Sequence, residues 1–157
     1  MVVEAKVTGI PDLKAALKSI PAKLRRRALR NALAAGARIV RDEAKAKAPV
    51  LQPTLKVPYR KPGTLRKAIS VRTSKVARRA GDVGVFVNVR PAKAGQRGAK
   101  SPVDPFFWRF VNFGTVKMRG VHFLEAGAQR LGEALEKFKT VIGPQIQKLN
   151  GGKSVDL

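Results

Sequence analysis

Residues 105–115 read PFFWRFVNFGT and form the most aromatic stretch of the chain. Four of the seven phenylalanines and the single tryptophan of this 157-residue sequence lie within it. Phe106, Phe110 and Phe113 recur with the spacing i, i+4, i+7, which places them on one face of an α-helix. Aromatic residues at this spacing usually belong to a hydrophobic core, so we predict that these three phenylalanines are buried.

Both ends of this predicted helix carry capping residues. Asp104 stands at the N-cap and is followed by Pro105 at the first helical position. Gly114 provides a stop at the C-terminal end. Trp108 and Arg109 fall outside the phenylalanine face, and residues of these two types are frequent in protein interfaces. We therefore predict that Trp108 and Arg109 belong to a partner surface.

Two longer segments, on either side of the aromatic stretch, carry the apolar repeat of amphipathic helices. Residues 21–48 have leucine, isoleucine and alanine at steps of three or four, and Pro49 predicts the end of the helix. Residues 123–150 show the same repeat, and Gly143-Pro144 predicts a kink or break within it. Each helix therefore has one apolar face to bury.

Three short segments alternate apolar and polar residues in the manner of half-buried β-strands: residues 2–8, 68–76 and 83–89. A short turn separates the last two, which predicts an antiparallel hairpin. The combined pattern predicts an α+β fold, in which a small antiparallel β-sheet packs against two long α-helices and carries extended basic loops.

The length of the chain fits one domain. We predict a single α+β domain over residues 1–150, with extended arms at residues 50–64 and 90–104 and a flexible tail at residues 151–157. The first arm contains three prolines and is long for a loop within a compact domain. Arms of this length indicate a function, or order that depends on a partner.

The charge of the chain is strongly positive, with 33 Lys and Arg against 10 Asp and Glu and a net charge of +23. Such a field attracts polyanions, of which nucleic acid is the most obvious, or an acidic neighbour in an assembly. Five of the basic residues share one face of the first long helix, opposite its apolar face, and three lie in the first arm. The predicted contacts with nucleic acid or an acidic partner are Arg27, Arg30, Arg38, Arg41, Lys45, Lys56, Arg60 and Lys61.

The sequence offers no recognisable catalytic, cofactor or metal site. It contains no cysteine, and its single histidine, His122, has no ligand partners at a metal-binding spacing. No serine or threonine stands in a nucleophile motif, and no glycine-rich phosphate loop is present. The chain also lacks a long apolar segment and a signal-peptide pattern. We therefore expect a non-enzymatic protein, without a cofactor, that is made in a cytoplasm.

Four short motifs resemble the tail-component family of long-tailed, lambdoid-type bacteriophages. They are AKAKAP at residues 44–49, GTLRKAI at residues 63–69, FVNFGT at residues 110–115 and FLEAGA at residues 123–128. The resemblance implies a structural virion protein, namely a tail-completion or neck subunit. Such subunits form part of the ring at the head–tail joint, around the DNA channel.

The same resemblance implies the partners and the location of the protein. It implies a homo-oligomeric ring, expected to be six-fold, that contacts neighbouring neck proteins and tail-tube or tail-terminator proteins. It also implies DNA in the channel, no membrane, and a place in the virion after synthesis in the host cytoplasm. The chain departs from the family pattern in a long insertion at residues 50–62, a long loop at residues 90–103, and His122 in place of a proline.

A ring of such basic subunits must be built from their less charged surfaces. The predicted interface residues are Trp108, Arg109, Glu125, Glu133 and Glu136, where the acids face the basic helix of a neighbour. A second hypothesis from a different class also fits the charge: a free-standing, non-specific nucleic-acid-binding protein associated with the nucleoid or the ribosome. Presence in purified particles and ring formation would distinguish the first hypothesis from the second.

Overall fold

The computed structural model describes residues 20–52 and 60–149, together with residues 14, 15, 17 and 18, which are helical. The predicted strand at residues 2–8, the tail at residues 151–157 and the middle of the first arm lie outside these described residues. Helices and a small antiparallel sheet give an α+β fold, as predicted. The elements are α1 (Ala22–Lys47), α2 (Thr64–Ala68), β1 (Ile69–Thr73), α3 (Lys75–Arg79), β2 (Val85–Val89), α4 (Trp108–Phe113), β3 (Gly114–Thr115), β4 (Met118–Arg119), α5 (Phe123–Ala128) and α6 (Leu131–Leu149).

Helix α1 is the element against which most of the described chain packs, with contacts to α5, α6, β1 and β2. Its bounds confirm the predicted first long helix. It ends because Ala48, the residue before Pro49, takes an extended conformation. Its buried residues are small, namely Ala28, Ala32, Gly36 and Ala44, so neighbouring elements approach its backbone closely.

Two glycines mark the points of closest approach between the helices. A side chain at Gly36 of α1 would collide with the backbone carbonyl of Ala134 in α6. A Cβ atom at Gly127 of α5 would lie 2.7 Å from the carbonyl oxygen of Val40 in α1. No other residue type fits either position without movement of the backbone.

The predicted hairpin is present. Strands β1 and β2 pair antiparallel, with Ile69 opposite Val89 and Thr73 opposite Val85. The connection is more than a turn, because it contains the one-turn helix α3. The hydroxyl of Ser74 accepts a hydrogen bond of 3.2 Å from the backbone N–H of Ala77 and so caps this helix.

The second long helix is divided, but not where the sequence predicted. A turn at Gln129 and Arg130 separates α5 from α6, and α6 continues through Pro144. Pro144 removes only one backbone hydrogen bond. Ile142 and Ile146, on either side of Pro144, are completely buried, and this packing holds the helix together across the proline. The helix therefore does not break at Gly143-Pro144, and the alternative, a kink at this position, stays a prediction.

The buried apolar residues fall into two clusters at opposite ends of α1. The first cluster joins the N-terminal half of α1 to the C-terminal half of α6, and the second joins the C-terminal end of α1 to the sheet and α5. Cluster 1 contains Leu17, Ile20, Ala28, Ala32, Ile142 and Ile146. Cluster 2 contains Ala44, Ala48, Leu65, Ile69, Val89 and Phe123.

The four motifs of the sequence meet in pairs. Arg66, from GTLRKAI, donates hydrogen bonds to the carbonyl oxygens of Ala48 at 2.8 Å and Ala46 at 3.3 Å, both from AKAKAP. A cationic side chain at these carbonyls stabilises the C-terminal end of α1. In the second pair, Asn112 of FVNFGT accepts a hydrogen bond of 3.1 Å from the backbone N–H of Leu124 in FLEAGA. These motifs therefore hold the fold together.

The aromatic helix differs from its prediction in position and in orientation. It begins at Trp108, because the carboxylate of Asp104 is used elsewhere: it accepts hydrogen bonds from the backbone N–H groups of Ala92 and Gly98. These bonds also fix the second arm at two points. Phe110 and Phe113 are 52% and 60% exposed, so their predicted burial was wrong.

The side of the aromatic segment that is turned toward the core bears Phe107, Trp108 and Val111, which pack on cluster 2. The segment is apolar on more than one side, and its periodicity could not tell which side is buried. Leu24 belongs to the apolar repeat of the first long helix, yet it is 42% exposed near the start of α1.

Candidate nucleic-acid and subunit interfaces

A basic groove lies between α1 and β1. It encloses about 440 Å³ and is lined by six basic residues and no acidic one. Four of them come from α1, one from α2 and one from β1, because the hairpin packs along the polar edge of the long helix. The basic residues of this groove are Arg30, Arg38, Arg41, Lys45, Lys67 and Arg72.

Most of the positive charge in the basic groove is uncompensated. Arg41 forms a bidentate pair with Asp42, with Nε–Oδ1 and Nη2–Oδ2 distances of 2.8 and 3.0 Å. In the described part of the chain, no carboxylate pairs with any of the other five cations. The second acid of this region, Glu43, lies on the other side, 3.7 Å from Arg130 and 4.0 Å from Lys47.

The dimensions of the basic groove suit an extended polyanion. Arg30 and Lys45 are fifteen residues apart on α1, which corresponds to about 22 Å along the helix axis. This length matches roughly six nucleotide steps of one DNA strand. The groove offers cations, and no aromatic side chain lines it for stacking on bases. It therefore fits a phosphate backbone without a means of reading sequence.

The structure brings together only part of the predicted set of cationic contacts. Arg30, Arg38, Arg41 and Lys45 line the basic groove, whereas Arg27 is exposed on α1 outside its lining. The sequence analysis missed Lys67 and Arg72, which join the groove from α2 and β1.

Of the three predicted contacts in the first arm, Arg60 and Lys61 do not line the basic groove. Lys56 is outside the described residues. The guanidinium of Arg60 lies over the rings of Phe107 and Phe106, at 4.6 and 5.4 Å from their centroids, and Lys61 is exposed beside it. Arg60 therefore stacks on the aromatic segment and does not extend the basic groove.

A second concavity, the apolar groove, opens over the middle of α1. It encloses about 590 Å³ between α1, β2, α5 and α6, and no charged residue lines it. It lies between clusters 1 and 2, where small residues of α1 leave space. The lining comprises Leu33, Gly36, Ala37, Val40, Val85, Phe86, Val87, Leu124, Ala128, Leu131, Ala134, Leu135 and Phe138.

Exposed apolar side chains also collect on α4 and the β3–β4 hairpin. We call Phe110, Phe113 and Val116 the aromatic patch. Val116, in the turn of the hairpin, is fully exposed, and Met118 and Val121 nearby are also exposed. An exposed apolar group of this kind indicates an interaction site.

The two predicted interface residues of the aromatic helix differ in exposure. Trp108 is half-buried and packs on cluster 2, so only part of its ring is available to a partner. Arg109 is exposed, with its guanidinium 5.4 Å from the centroid of the Trp108 ring.

Each predicted interface acid already has a partner within its own subunit. Glu125 accepts a hydrogen bond of 3.1 Å from Asn112 Nδ2 and lies 3.8 Å from Nδ1 of His122. The carboxylates of Glu133 and Glu136 pair with Arg130 at 2.5 Å and with Lys139 at 3.2 Å. These acids are all exposed at the surface, and each already contacts a polar or basic side chain of its own subunit.

Among the described residues, no group of three or more histidine, cysteine, aspartate or glutamate side chains is arranged to hold a metal ion. Within the same residues, no helix combines the length and the apolar character needed to cross a bilayer.

The fold and these surfaces define a small, strongly basic α+β protein whose described surface includes a cationic groove and an apolar groove. The model of the HK97-gp10-like family, described as "Bacteriophage HK97-gp10, putative tail-component", matches residues 12–114. The match covers most of the chain, from the segment before α1 to the end of the aromatic helix. The chain therefore belongs to the HK97-gp10-like family of phage tail components. No curated protein and no solved structure is significantly similar to it.

Proposed function

We propose that this protein is a tail-completion or neck subunit that forms part of a ring at the head–tail joint, around the DNA channel. Membership of the tail-component family supports a structural role in the virion. The observation that supports a place around the DNA channel is the basic groove. It holds five cations without a carboxylate partner in the described part of the chain. A subunit beside packaged DNA requires such a surface.

The charge pattern supports a role for the groove at a polyanion or at an acidic neighbour. The groove offers no stacking residues, so its contacts with DNA would be with phosphates and independent of sequence. Neck and tail-tube or tail-terminator proteins are the neighbours in this proposal. Acidic surfaces on these proteins would compete with DNA for the same cations.

The proposal predicts where the protein is found and what its loss does. We expect mass spectrometry of purified phage particles to detect several copies per particle, and electron microscopy to place a label on the protein at the neck. A phage that lacks the protein should accumulate filled heads and separate tails. Joined, infectious particles without the protein would contradict the proposal.

The same groove also supports the second candidate function, a free-standing nucleic-acid-binding protein. In that case the protein would co-purify with nucleic acid from infected cells as a monomer or dimer, and it would be absent from particles. Fractionation of one lysate into particles and free nucleoprotein therefore distinguishes the two functions.

A further inference from the structure

We infer that the aromatic patch of one subunit binds in the apolar groove of the next subunit, so that copies join head to tail. The inference rests on the proposed function, since it specifies how the proposed ring is held together. It names a second copy of this chain as the occupant of the groove.

The two surfaces match in chemistry and in size. The aromatic patch offers two exposed phenyl rings and a valine, and the apolar groove is lined without a charged side chain. A volume of about 590 Å³ lies within the range of concave sites that enclose a ligand, about 300–1,000 Å³. None of the patch residues lines the groove of its own chain, so the two surfaces are separate.

The charges around the two surfaces also match. Residues 105–121, which include the aromatic patch, contain three basic residues and no acidic one. Four of the ten acids of the chain lie within three residues of groove-lining positions on α1 and α6, namely Asp42, Glu43, Glu133 and Glu136. Their local pairs with Arg41, Lys47, Arg130 and Lys139 make this rim close to neutral. On a chain of net charge +23, it is a surface that a basic patch approaches with little repulsion.

Other contacts between copies are less favourable. A patch-to-patch contact would bring Arg109, Lys117 and Arg119 of one copy against the same residues of another, which like charges oppose. A patch-to-groove contact joins two different surfaces and is therefore heterologous. A heterologous contact repeats from copy to copy and produces a closed ring when the rotation between copies permits it.

The buried area indicates a contact that is weak between two subunits. Two phenylalanine side chains bury about 150–250 Å² each, and the groove loses a similar area, so the total is below the ~1,600 Å² of a standard stable interface. In a closed ring every subunit makes two such contacts, one through its aromatic patch and one through its apolar groove. We therefore expect assembly to depend steeply on protein concentration.

The absence of cysteine from the chain permits a direct cross-linking test. One preparation carries Phe113→Cys in the aromatic patch, and a second carries Leu135→Cys in the apolar groove. After oxidation of the mixture, we expect disulfide-linked pairs that contain one chain of each kind, with at least tenfold less product from either chain alone. The control replaces Phe113→Cys with Val76→Cys, an exposed apolar position on α3, and should give no pairs above the background.

A second measurement does not depend on introduced thiols. The double variant Phe110→Ser, Phe113→Ser should raise the dissociation constant for self-association by about tenfold or more, since exposed aromatic anchors dominate such contacts. Val76→Ser should leave it unchanged. Sedimentation velocity across a concentration series measures the dissociation constant of each variant. Circular dichroism verifies that each variant is folded.

The outcomes separate this inference from the proposed function. Cross-linking is repeated on phage particles assembled with both cysteine variants. Particles that contain the protein but yield no mixed disulfide would overturn the patch-to-groove contact and leave the neck subunit in place. Efficient cross-linking of Phe113→Cys chains with each other would identify a patch-to-patch contact and would also overturn it. Absence of the protein from particles would remove the proposed function itself.

Discussion

Asn112 is a fully buried polar residue that connects the aromatic helix to the helix pair after it. Its Oδ1 atom accepts from the backbone N–H of Leu124, and its Nδ2 atom donates to Glu125 Oε1, both at 3.1 Å. It therefore serves as the N-terminal cap of α5, a role that His122, which precedes the helix with a positive φ of 52°, does not fill with its own side chain.

We expect Asn112→Ala to lower the free energy of unfolding by about 1–3 kcal/mol, because it leaves a buried N–H group without an acceptor. Urea denaturation at neutral pH measures the change. Asn31→Ala, at an exposed position on α1, is the matched control and should stay within about 0.5 kcal/mol of the native protein. If Asn112→Ala lowered the free energy of unfolding no more than the control does, α5 would not need the cap.

At the scale of the elements, the stability of the fold depends on two helix crossings at which glycine places no side chain between the helices. Gly127 lets α5 pass over α1 at Val40, and Gly36 lets α6 pass over α1 at Ala134. Glycine within a helix costs about 1 kcal/mol relative to alanine. The chain accepts this cost where an added methyl group would separate two helices.

We expect Gly127→Ala to destabilise the protein by about 1–3 kcal/mol despite the better helix propensity of alanine, because the new Cβ would overlap backbone and not a movable side chain. Gly132→Ala in α6 is the control, since nothing lies within 4 Å of its added Cβ. That variant should be neutral or more stable by up to about 1 kcal/mol. Thermal and urea unfolding of both variants provide the comparison, and equal effects would disprove the close crossing.

At the scale of the whole molecule, the question is whether the affinity for DNA depends on the total charge of the protein or on the arrangement of that charge. The chain carries 33 basic residues, and only six of them line the basic groove. Three others, Lys75, Arg78 and Arg79, lie exposed on α3 and are not part of the groove. Variants at the two places can therefore carry the same change in charge.

We expect the triple variant Arg30→Gln, Arg38→Gln, Arg72→Gln to bind duplex DNA with a slope of log affinity against log salt that is smaller by roughly 3, since each lost phosphate contact removes about 0.9. Fluorescence anisotropy between about 50 and 200 mM salt gives the slope. The triple variant Lys75→Gln, Arg78→Gln, Arg79→Gln should change it far less. Identical slopes for the two triple variants would show that net charge, and not the groove, determines binding.

The sequence was sufficient for elements that have strong local signals. Helix α1, the hairpin and the stop at Gly114 agree with the prediction, because periodicity and proline or glycine at the ends determine them locally. The start of the aromatic helix was not predictable in this way. It depends on Asp104, which bonds to the second arm at Ala92 and Gly98 and is unavailable as a cap.

The candidate site was predictable only in part, for a related reason. The cations of α1 share a face that helical spacing reveals, and Arg30, Arg38, Arg41 and Lys45 do line one groove. Lys67 and Arg72 reach the same groove only because the hairpin packs beside α1. The apolar groove also depends on the crossing angle of several helices, which no pattern within a single segment encodes.

Division of the core into clusters 1 and 2 has a consequence for the cooperativity of the isolated subunit. In the described part of the chain, α1 and residues of the apolar groove lie between the two clusters, so amide hydrogen exchange should report two units that open with different free energies. A neighbouring subunit seated in the groove would join the units into one. The protein would then be mechanically softer before assembly than afterwards, when, at the proposed neck position, it would have to withstand the pressure of packaged DNA.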